Sequence, residues 1–207
     1  MSVSEDQAAE LPDPAPENPF NTGSPNYSNA QNFLSHLQTG VDVRTGDFTC
    51  AMGLPALEAN NLQGPTVQLS LAFSSQLIDD LGFGKGWALS GLTTYEITNK
   101  ILSLSTGERF IADQVVNEFT FKDRKLVTFH MRRESGASGV YLVLHKNGVV
   151  EKLSTFNGAS PVAVTVEVRS PDGRRVYLDY SQTSTPRLRA VRDETSTLLT
   201  IERPTGR

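Results

Sequence analysis

Short runs of alternating apolar and polar residues recur from residue 41 almost to the end of the chain. The clearest run places Val67, Leu69, Leu71 and Phe73 between polar or small residues. Alternation with a period of two is typical of a β-strand that buries one face. We therefore expect a half-buried strand over residues 67–74.

Five pairs of such runs flank short polar turns, and we expect each pair to form a β-hairpin. Asn147-Gly148 and Asp172-Gly173 stand in two of the turns, where these dipeptides favour tight turns with positive φ. The expected hairpins pair Ile101–Leu104 with Glu108–Ile111, Phe119–Phe121 with Leu126–Phe129, Val140–Leu144 with Val149–Leu153, Val162–Val168 with Arg175–Tyr180, and Arg187–Arg192 with Thr197–Ile201. Because an isolated hairpin is marginal in water, we expect an all-β fold, an antiparallel ribbon of successive hairpins that share a core.

The first forty residues have a different composition. They contain five acidic residues, no lysine or arginine, and Pro12, Pro14, Pro16, Pro19 and Pro25. A segment of this kind has too little apolar surface to form a core of its own. We predict a disordered, acidic, proline-rich arm over residues 1–40, with a short helix at residues 29–37, and a β domain over residues 41–207.

A glycine-rich stretch at residues 82–87 separates the alternating strand from the hairpins. It reads Gly82, Phe83, Gly84, Lys85, Gly86 and Trp87, the only tryptophan of the chain. A P-loop needs Ser or Thr after its Gly-Lys pair, and a dinucleotide fingerprint opens a helix; neither follows here. We interpret the stretch as a strand in which glycines allow close backbone packing. On this interpretation, Trp87→Ala or Gly84→Val impairs folding.

Composition and charge limit the class of protein. Hydrophobic residues make up 38% of the 207 residues and charged residues 20%, with a net charge of -4. The single cysteine, Cys50, excludes an internal disulfide and a cysteine-based zinc cage within this chain. The first residues lack the basic and apolar regions of a conventional signal peptide, and no apolar run reaches the roughly 18 residues of a membrane span. If the protein is secreted or displayed at the cell surface, we expect a dedicated export system to carry it.

Few residues suggest catalysis. His130 and His145 on neighbouring strands, with Glu151 nearby, could form an acid–base or metal site, although solvent-facing strand histidines are more common. Asp79 and Asp80 could bind a cation, but two adjacent carboxylates more often mark a solvated turn. We expect a protein that is not an enzyme, with no catalytic, cofactor-binding or metal-binding residues.

The second half of the chain is basic, which raises nucleic acid as a partner. Residues 121–207 hold fifteen basic and nine acidic residues, including Arg132-Arg133 and Arg174-Arg175. Because acidic residues are interspersed and no aromatic stacking module accompanies the arginines, a solvated sheet surface is favoured over a nucleic-acid interface.

Several segments together resemble the opening of a bacterial RHS/YD-repeat protein. Thr45-Gly46, followed by the aromatic Phe48, is similar to the family's entry pattern. The strand of residues 69–75 and the glycine stretch that follows it resemble the block that opens many such proteins. Residues 145–153 and 170–180 resemble hairpins of the same region, so the likeness extends from Val41 to about Asp193. The signature residues of this resemblance are Thr45, Gly46, Phe48, Gly82, Phe83, Gly84, Gly86 and Trp87.

The resemblance implies a long β-ribbon that spirals into a hollow shell. Such shells enclose a C-terminal toxin and are delivered by type VI secretion or belong to Tc-type toxin complexes. The implied partners are the remaining shell, the toxin cargo and a secretion-system spike or other delivery protein. No Tyr-Asp repeat with its flanking Gly-Arg pattern occurs in residues 1–207. We expect any toxin activity or self-cleavage to belong to residues outside this sequence.

Two other functions remain open from the sequence. One is a stand-alone carbohydrate- or surface-binding β module with Trp87 and Tyr95 as a stacking platform. The other is a hydrolase that uses His130 and Glu151.

Overall fold

The computed structural model describes residues 37–41, 46–122, 124–156, 161–181 and 186–203. These ranges contain seventeen strands and no helix, hence also no helix long and apolar enough to cross a membrane. The strands are β1 (Leu37–Val41), β2 (Phe48–Gly53), β3 (Leu57–Glu58), β4 (Thr66–Val67), β5 (Ser70–Ser74), β6 (Trp87–Ser90), β7 (Thr94–Glu96), β8 (Ile101–Ser103), β9 (Arg109–Val115), β10 (Glu118–Phe121), β11 (Phe129–Arg133), β12 (Val140–His145), β13 (Val150–Ser154), β14 (Val162–Arg169), β15 (Arg175–Tyr180), β16 (Leu188–Arg192) and β17 (Thr197–Thr200).

The expected all-β, antiparallel fold is confirmed, and its N-terminal limit is placed differently. Strand β1 begins at Leu37, inside the segment of residues 1–40 that the sequence assigns to the arm, and it pairs with β2 through Val41 and Phe48. The rest of the predicted arm and helix, up to residue 36, lies outside the described residues.

Eight of the strands close into a barrel. Strands β7 to β13 pair in chain order, and β14 closes the ring by pairing with β13 on one side and β7 on the other. This closure differs from the open ribbon that the sequence predicts. Strand β14 pairs with β7, which lies about 70 residues earlier in the chain. Because the two strands are so far apart in sequence, no local pattern predicts their pairing.

Strand β14 is shared between the barrel and a second sheet. Its first residues, from Val162 to Val164, pair with β7, whereas Glu167 to Arg169 on the same edge pair with β15. At this fork the Thr165 hydroxyl donates a hydrogen bond of 2.7 Å to the carbonyl of Thr93. Strands β15, β16 and β17 continue the sheet away from the barrel.

Two hydrophobic cores follow from this topology. The barrel interior is filled by inward-facing residues of alternating strands, and Tyr95, Phe119 and Tyr141 meet there with ring centroids 5.1–5.9 Å apart. The second core lies between the segment from Leu54 to Leu69 and strands β14–β17. Its buried members are Ala59, Val67, Leu69, Val168, Val176, Leu178, Leu188 and Val191.

Four of the five expected hairpins are confirmed, as β8–β9, β12–β13, β14–β15 and β16–β17. The fifth, expected between Phe119–Phe121 and Leu126–Phe129, is present with other bounds, because β10 and β11 are antiparallel neighbours whose register joins Glu118 to Arg132. Strand β10 pairs along its length with β9, and β11 begins only at Phe129. Leu126 and Val127 are 74% and 56% exposed, so these two apolar residues contribute no buried strand face.

A four-stranded sheet, in the order β1-β2-β5-β6, precedes the barrel in the chain. The strand predicted over residues 67–74 is present but divided, because β4 ends at Val67 and β5 begins at Ser70. Leu69 lies in the interruption, fully buried in the second core, and its carbonyl accepts a 2.9 Å hydrogen bond from the Leu54 amide.

Candidate assembly interface

One face of the four-stranded sheet is almost entirely apolar. Residues that stand opposite one another on neighbouring antiparallel strands share a face, so the register assigns each side chain to a side. Cys50 stands opposite Phe73, which stands opposite Trp87. The whole set, called here the apolar face, is Leu37, Thr39, Val41, Phe48, Cys50, Met52, Leu71, Phe73, Trp87 and Leu89.

The apolar face carries no charge, and none of its ten residues is buried. Val41 is 61% exposed and Phe48 is 43% exposed. Leu89, at one corner, packs against the second core. The opposite face of the sheet consists of small or polar residues, among them Ala51, Ala72 and Ala88. The sheet therefore has the alternation of a two-layer β protein, but its apolar side is only partly covered, with three of the ten side chains exposed and seven half-buried.

Aromatic rings form a row across the apolar face. The ring centroids of Phe48 and Phe73 lie 6.0 Å apart, and those of Phe73 and Trp87 lie 5.5 Å apart, both with tilted planes. Such tilted pairs stabilise one another beyond their buried area. The row gives the exposed face fixed side-chain positions on which another surface can pack.

The signature glycines lie in the loop between β5 and β6, and the expectation that they form a strand is wrong. Gly82, Gly84 and Gly86 all have positive φ, 95°, 96° and 83°. The Gly86 carbonyl accepts a hydrogen bond from the Ser74 amide at 2.9 Å, which closes the loop onto the end of β5. Regular strand begins only at Trp87, because a run of positive φ values is incompatible with a β-ladder.

Asp80 organises this loop. Its carboxylate accepts hydrogen bonds from the amides of Gly82 at 2.7 Å and Gly84 at 3.1 Å. These amides lower the pKa of Asp80, the Gly82 amide most strongly. Because these amides already occupy one carboxylate oxygen, the structure supports the turn interpretation of Asp79 and Asp80 over the cation site. The described residues contain no group of three or more potential metal ligands.

The same loop contacts the last described residues of the chain. Arg203 lies over the Phe83 ring, with its guanidinium carbon 4.8 Å from the ring centroid. Its Nη1 donates a 2.8 Å hydrogen bond to the Leu188 carbonyl, and burial lowers its pKa, assisted by nearby Arg187. Phe83 is therefore held by a cation–π contact, and it does not share a strand face with Trp87.

The remaining signature residues lie near the start of β2. Gly46, with a φ of 70°, lies two residues before Phe48, which opens the strand. Thr45 lies outside the described residues. The structure therefore brings Phe48 and Trp87 onto one face through Phe73, and it places the glycines beside that face.

A second accessible feature is the outer edge of β17. This strand pairs with β16 on one side, and no described strand pairs with its other side. An unpaired edge presents backbone donors and acceptors to another strand.

The histidine and glutamate candidates are separated by the barrel wall. Phe129 stands opposite His145, so His130 points to the other face of the sheet, where it is exposed. Glu151 and His145 point inward, with Nε2 of His145 3.3 Å from Oε2 of Glu151. The acid–base pair of His130 and Glu151 is therefore wrong.

Several arginines of the basic half are paired with acids. Arg192 lies 2.8 Å from Asp179, Arg174 lies 3.2 Å from Asp172, and Glu167 pairs with Arg169 and Arg175. These pairs reduce the positive charge available to a phosphate backbone, which favours the solvated-surface interpretation.

Part of the apolar face is not predictable from the sequence pattern. Residues 48, 50 and 52 alternate as Phe, Cys and Met, which is a period-two signal, but the run is short and contains a cysteine and a glycine neighbour. Leu37 and Thr39 lie within the segment of residues 1–40 that the sequence assigns to the arm. Only their pairing with β2 makes them part of a sheet.

Comparison with known proteins gives similarity of structure without similarity of sequence. No protein-family model matches the chain, and no curated protein matches it by sequence. The N-terminal domain of effector protein SpvB from Salmonella typhimurium strain LT2 is 12% identical, with a TM-score of 0.49 over 73% of this chain and 67% of that one. The Tc holotoxin pore of Photorhabdus luminescens is 15% identical, with a TM-score of 0.47 over 75% of this chain. This chain spans 10% of the length of that Tc chain.

Proposed function

We propose that this protein is a non-catalytic structural segment of an RHS-type toxin shell, which encloses a C-terminal toxin for delivery to other cells. The observation that carries the proposal is the apolar face of the four-stranded sheet. Nine of its ten residues are apolar, and none of the ten is fully buried in the described structure. Large exposed apolar patches on soluble proteins mark surfaces that another polypeptide covers.

The shape and chemistry of this face fit further β-structure. Sheets pack face to face about 10 Å apart, with uncharged side chains interdigitating between them. The row of Phe48, Phe73 and Trp87 supplies such side chains across three neighbouring strands. A shell wall built from stacked hairpins provides a partner of this kind, and the free edge of β17 provides a second point of growth.

The alternative functions have less support from the described residues. Tyr95 is 4% exposed and packs inside the barrel on Phe119 and Tyr141, so it forms no platform with Trp87. A hydrolase would need His130 and Glu151 close together, but these two side chains lie on opposite faces of the barrel wall.

The delivery route belongs to the same proposal. The protein would leave the cell as part of the assembled shell, carried by a secretion-system spike or a Tc-type complex. Its partners would be the remaining shell and the toxin cargo. The proposed role needs no cofactor or metal.

Two adjacent substitutions test the proposal. Phe48→Glu places a charge on the apolar face, whereas Thr49→Glu places the same charge on the opposite face at a position that is also exposed. Each variant is co-expressed with the polypeptide encoded next to this chain. Because burying an uncompensated carboxylate is strongly unfavourable, we expect Phe48→Glu to weaken co-purification at least about tenfold, with Thr49→Glu unchanged.

The readout is complex formation, together with protection of the enclosed toxin from added protease. Fluorescence of an apolar dye reports whether the face is open in the isolated chain. The proposal fails if Phe48→Glu assembles as well as the wild-type protein, or if the isolated wild-type chain binds no dye.

A further inference from the structure

A cavity of about 880 Å³ opens beside the barrel, and Leu89 is the one residue of the apolar face that lines it. Its walls come from the β8–β9 and β12–β13 turns, from β14, and from residues of β5 and β6. Small hydroxyl residues line much of it, including Ser103 and Ser105. Leu104, Val149 and Val168 add apolar surface.

The deepest charged group of this cavity is Glu151. The residue is 7% exposed and points inward from β13, opposite the core residues Val143 and Val168. Its closest basic neighbour is His145, whose Nε2 lies 3.3 Å from Oε2 of Glu151. Within the described part of the chain, neither of these two atoms makes a hydrogen bond. A buried carboxylate in this position is costly unless a donor satisfies it.

The other polar groups of the cavity do not supply that donor. Arg109 lies at the mouth, where its side chain is 62% exposed and its Nη2 lies 3.6 Å from Glu96. The Thr165 hydroxyl already donates to the carbonyl of Thr93. Asn147 accepts a hydrogen bond from the Val149 amide through its side-chain oxygen.

We propose that the cavity holding Glu151 and His145 binds a primary alkylammonium group. An ammonium has three donors and no acceptor, so one group can donate to Oε2 of Glu151 and to Nε2 of a His145 that carries its proton on Nδ1. Charge-assisted hydrogen bonds of this kind are stronger than neutral ones. The methylene chain of the ligand then lies along Leu104, Val149 and Val168.

A metal ion fits the same groups less well. A structural zinc site takes four protein ligands and a catalytic one takes three, whereas Glu151 and His145 supply two. No group of three potential ligands occurs in the described ranges. The alkylammonium has two sources, a free diamine or a lysine side chain of another polypeptide, and the experiment has to distinguish them.

The first measurement uses the complete wild-type chain with its histidine rings isotopically labelled. Titration with 1,5-diaminopentane should shift the NMR signals of His145 and leave those of the exposed His130 unchanged. The uncharged 1,5-pentanediol has the same length and should shift neither. The proposal is overturned if the diamine leaves His145 unchanged, or if the diol shifts it as much as the diamine does.

Matched variants then identify the carboxylate. Glu151→Gln keeps the shape and removes the charge, and we expect it to weaken diamine binding at least about tenfold. Glu134→Gln removes a partly exposed carboxylate that pairs with Lys152 at 2.8 Å, and it should bind like the wild type. Unchanged binding by a folded Glu151→Gln variant would exclude the site. If that variant does not fold, the wild-type histidine titration decides.

A third titration identifies the source of the ammonium group. N-acetyl-lysine N-methylamide presents the same group as part of a peptide. If it shifts His145 at concentrations where the diamine does, a lysine side chain of another polypeptide fits the cavity. If only the diamine binds, the ligand is a free amine. Neither result bears on the apolar face, so this site and the shell role can fail separately.

Discussion

Gly84 and Gly86 both have positive φ, but their surroundings differ. A Cβ on Gly86 would lie 2.5 Å from Cε2 of Phe73, whereas the nearest atom to a Cβ on Gly84 is Cδ1 of Trp87 at 3.8 Å. The first distance is a steric overlap and the second is ordinary contact. The structure therefore identifies Gly86 as the stricter position, although the sequence alone points to Gly84 and Trp87.

Alanine substitutions at these two glycines separate backbone strain from steric overlap. Gly84→Ala should lower the free energy of unfolding by about 1 kcal/mol, the cost of a left-handed conformation for a residue with a Cβ. Gly86→Ala adds the displacement of the Phe73 ring and should cost about 3 kcal/mol. Urea unfolding, followed by Trp87 fluorescence, measures both. Equal losses would show that Phe73 moves aside freely.

A single residue also explains why the sequence predicts a strand where the glycine stretch forms a loop. Three glycines at alternate positions look like a strand that needs close packing. In the structure these residues form a loop, because the Asp80 carboxylate accepts hydrogen bonds from the amides of Gly82 and Gly84. An Asp two residues before a glycine is a weak local signal for such a turn.

At the scale of elements, the turn between β16 and β17 is fastened to a distant loop. The Asp193 carboxylate accepts hydrogen bonds from the Asn60 amide at 2.8 Å, the Thr195 amide at 2.7 Å and the Ser196 amide at 2.6 Å. These bonds, the one from Asn60 most strongly, lower the pKa of Asp193 well below its ordinary value of 3.8. The residue both closes its own turn and fixes the loop that leads into β4.

This arrangement predicts a pH dependence of stability. Because the folded pKa lies below 3.8, the contribution of Asp193 is complete above that pH and is lost as the pH falls toward the folded pKa. The melting temperature should drop below about pH 4, and Asp193→Asn should flatten this drop while lowering the melting temperature at pH 7. Asp113→Asn, at an exposed ion pair, serves as the control. A wild-type slope retained in Asp193→Asn would refute the assignment.

Elements built from local signals are the ones that the sequence predicts well. The β12–β13 and β14–β15 hairpins form where Gly148 and Gly173 adopt positive φ, 85° and 89°. Strand β11 begins at Phe129, later than the sequence predicts. In the connection between β10 and β11, Arg124 makes contacts that take the place of a regular turn. Its Nη1 donates a 2.7 Å hydrogen bond to the Phe129 carbonyl, and its guanidinium lies over the Phe121 and Phe129 rings. The residue composition of a turn does not predict a contact of this kind.

At the scale of the whole molecule, β14 couples the two cores. Ala163 belongs to the barrel core and Val168 to the second core, and Thr165 lies between them. The described residues, from 37 to 203, belong to one compact unit. The fork also includes Thr93, whose hydroxyl accepts a 3.0 Å hydrogen bond from the Ser105 amide.

Thr93→Val tests this coupling. The substitution keeps the side-chain volume and leaves the Ser105 amide without its acceptor, so we expect a loss of about 2 kcal/mol in the free energy of unfolding. Trp87 fluorescence reports on the four-stranded sheet, and near-ultraviolet circular dichroism of the tyrosines reports on the barrel through Tyr95 and Tyr141 and on β15 through Tyr177 and Tyr180. Both midpoints should move together, and Thr200→Val on exposed β17 should move neither. A shift of the circular dichroism midpoint without a shift of the Trp87 fluorescence midpoint would contradict a shared transition.

The sequence by itself determined the all-β character, the hairpins and the alternation of the strand around residues 67–74, because each depends on contacts between close neighbours in the chain. The tertiary structure alone decided the closure of the barrel through β7 and β14 and the burial of Glu151 beside His145. It also decided that Leu71 and Phe73 stay partly exposed although they continue the pattern of the buried Val67 and Leu69. Alternation specifies two faces of a strand, but only the packing of distant elements determines which face is covered.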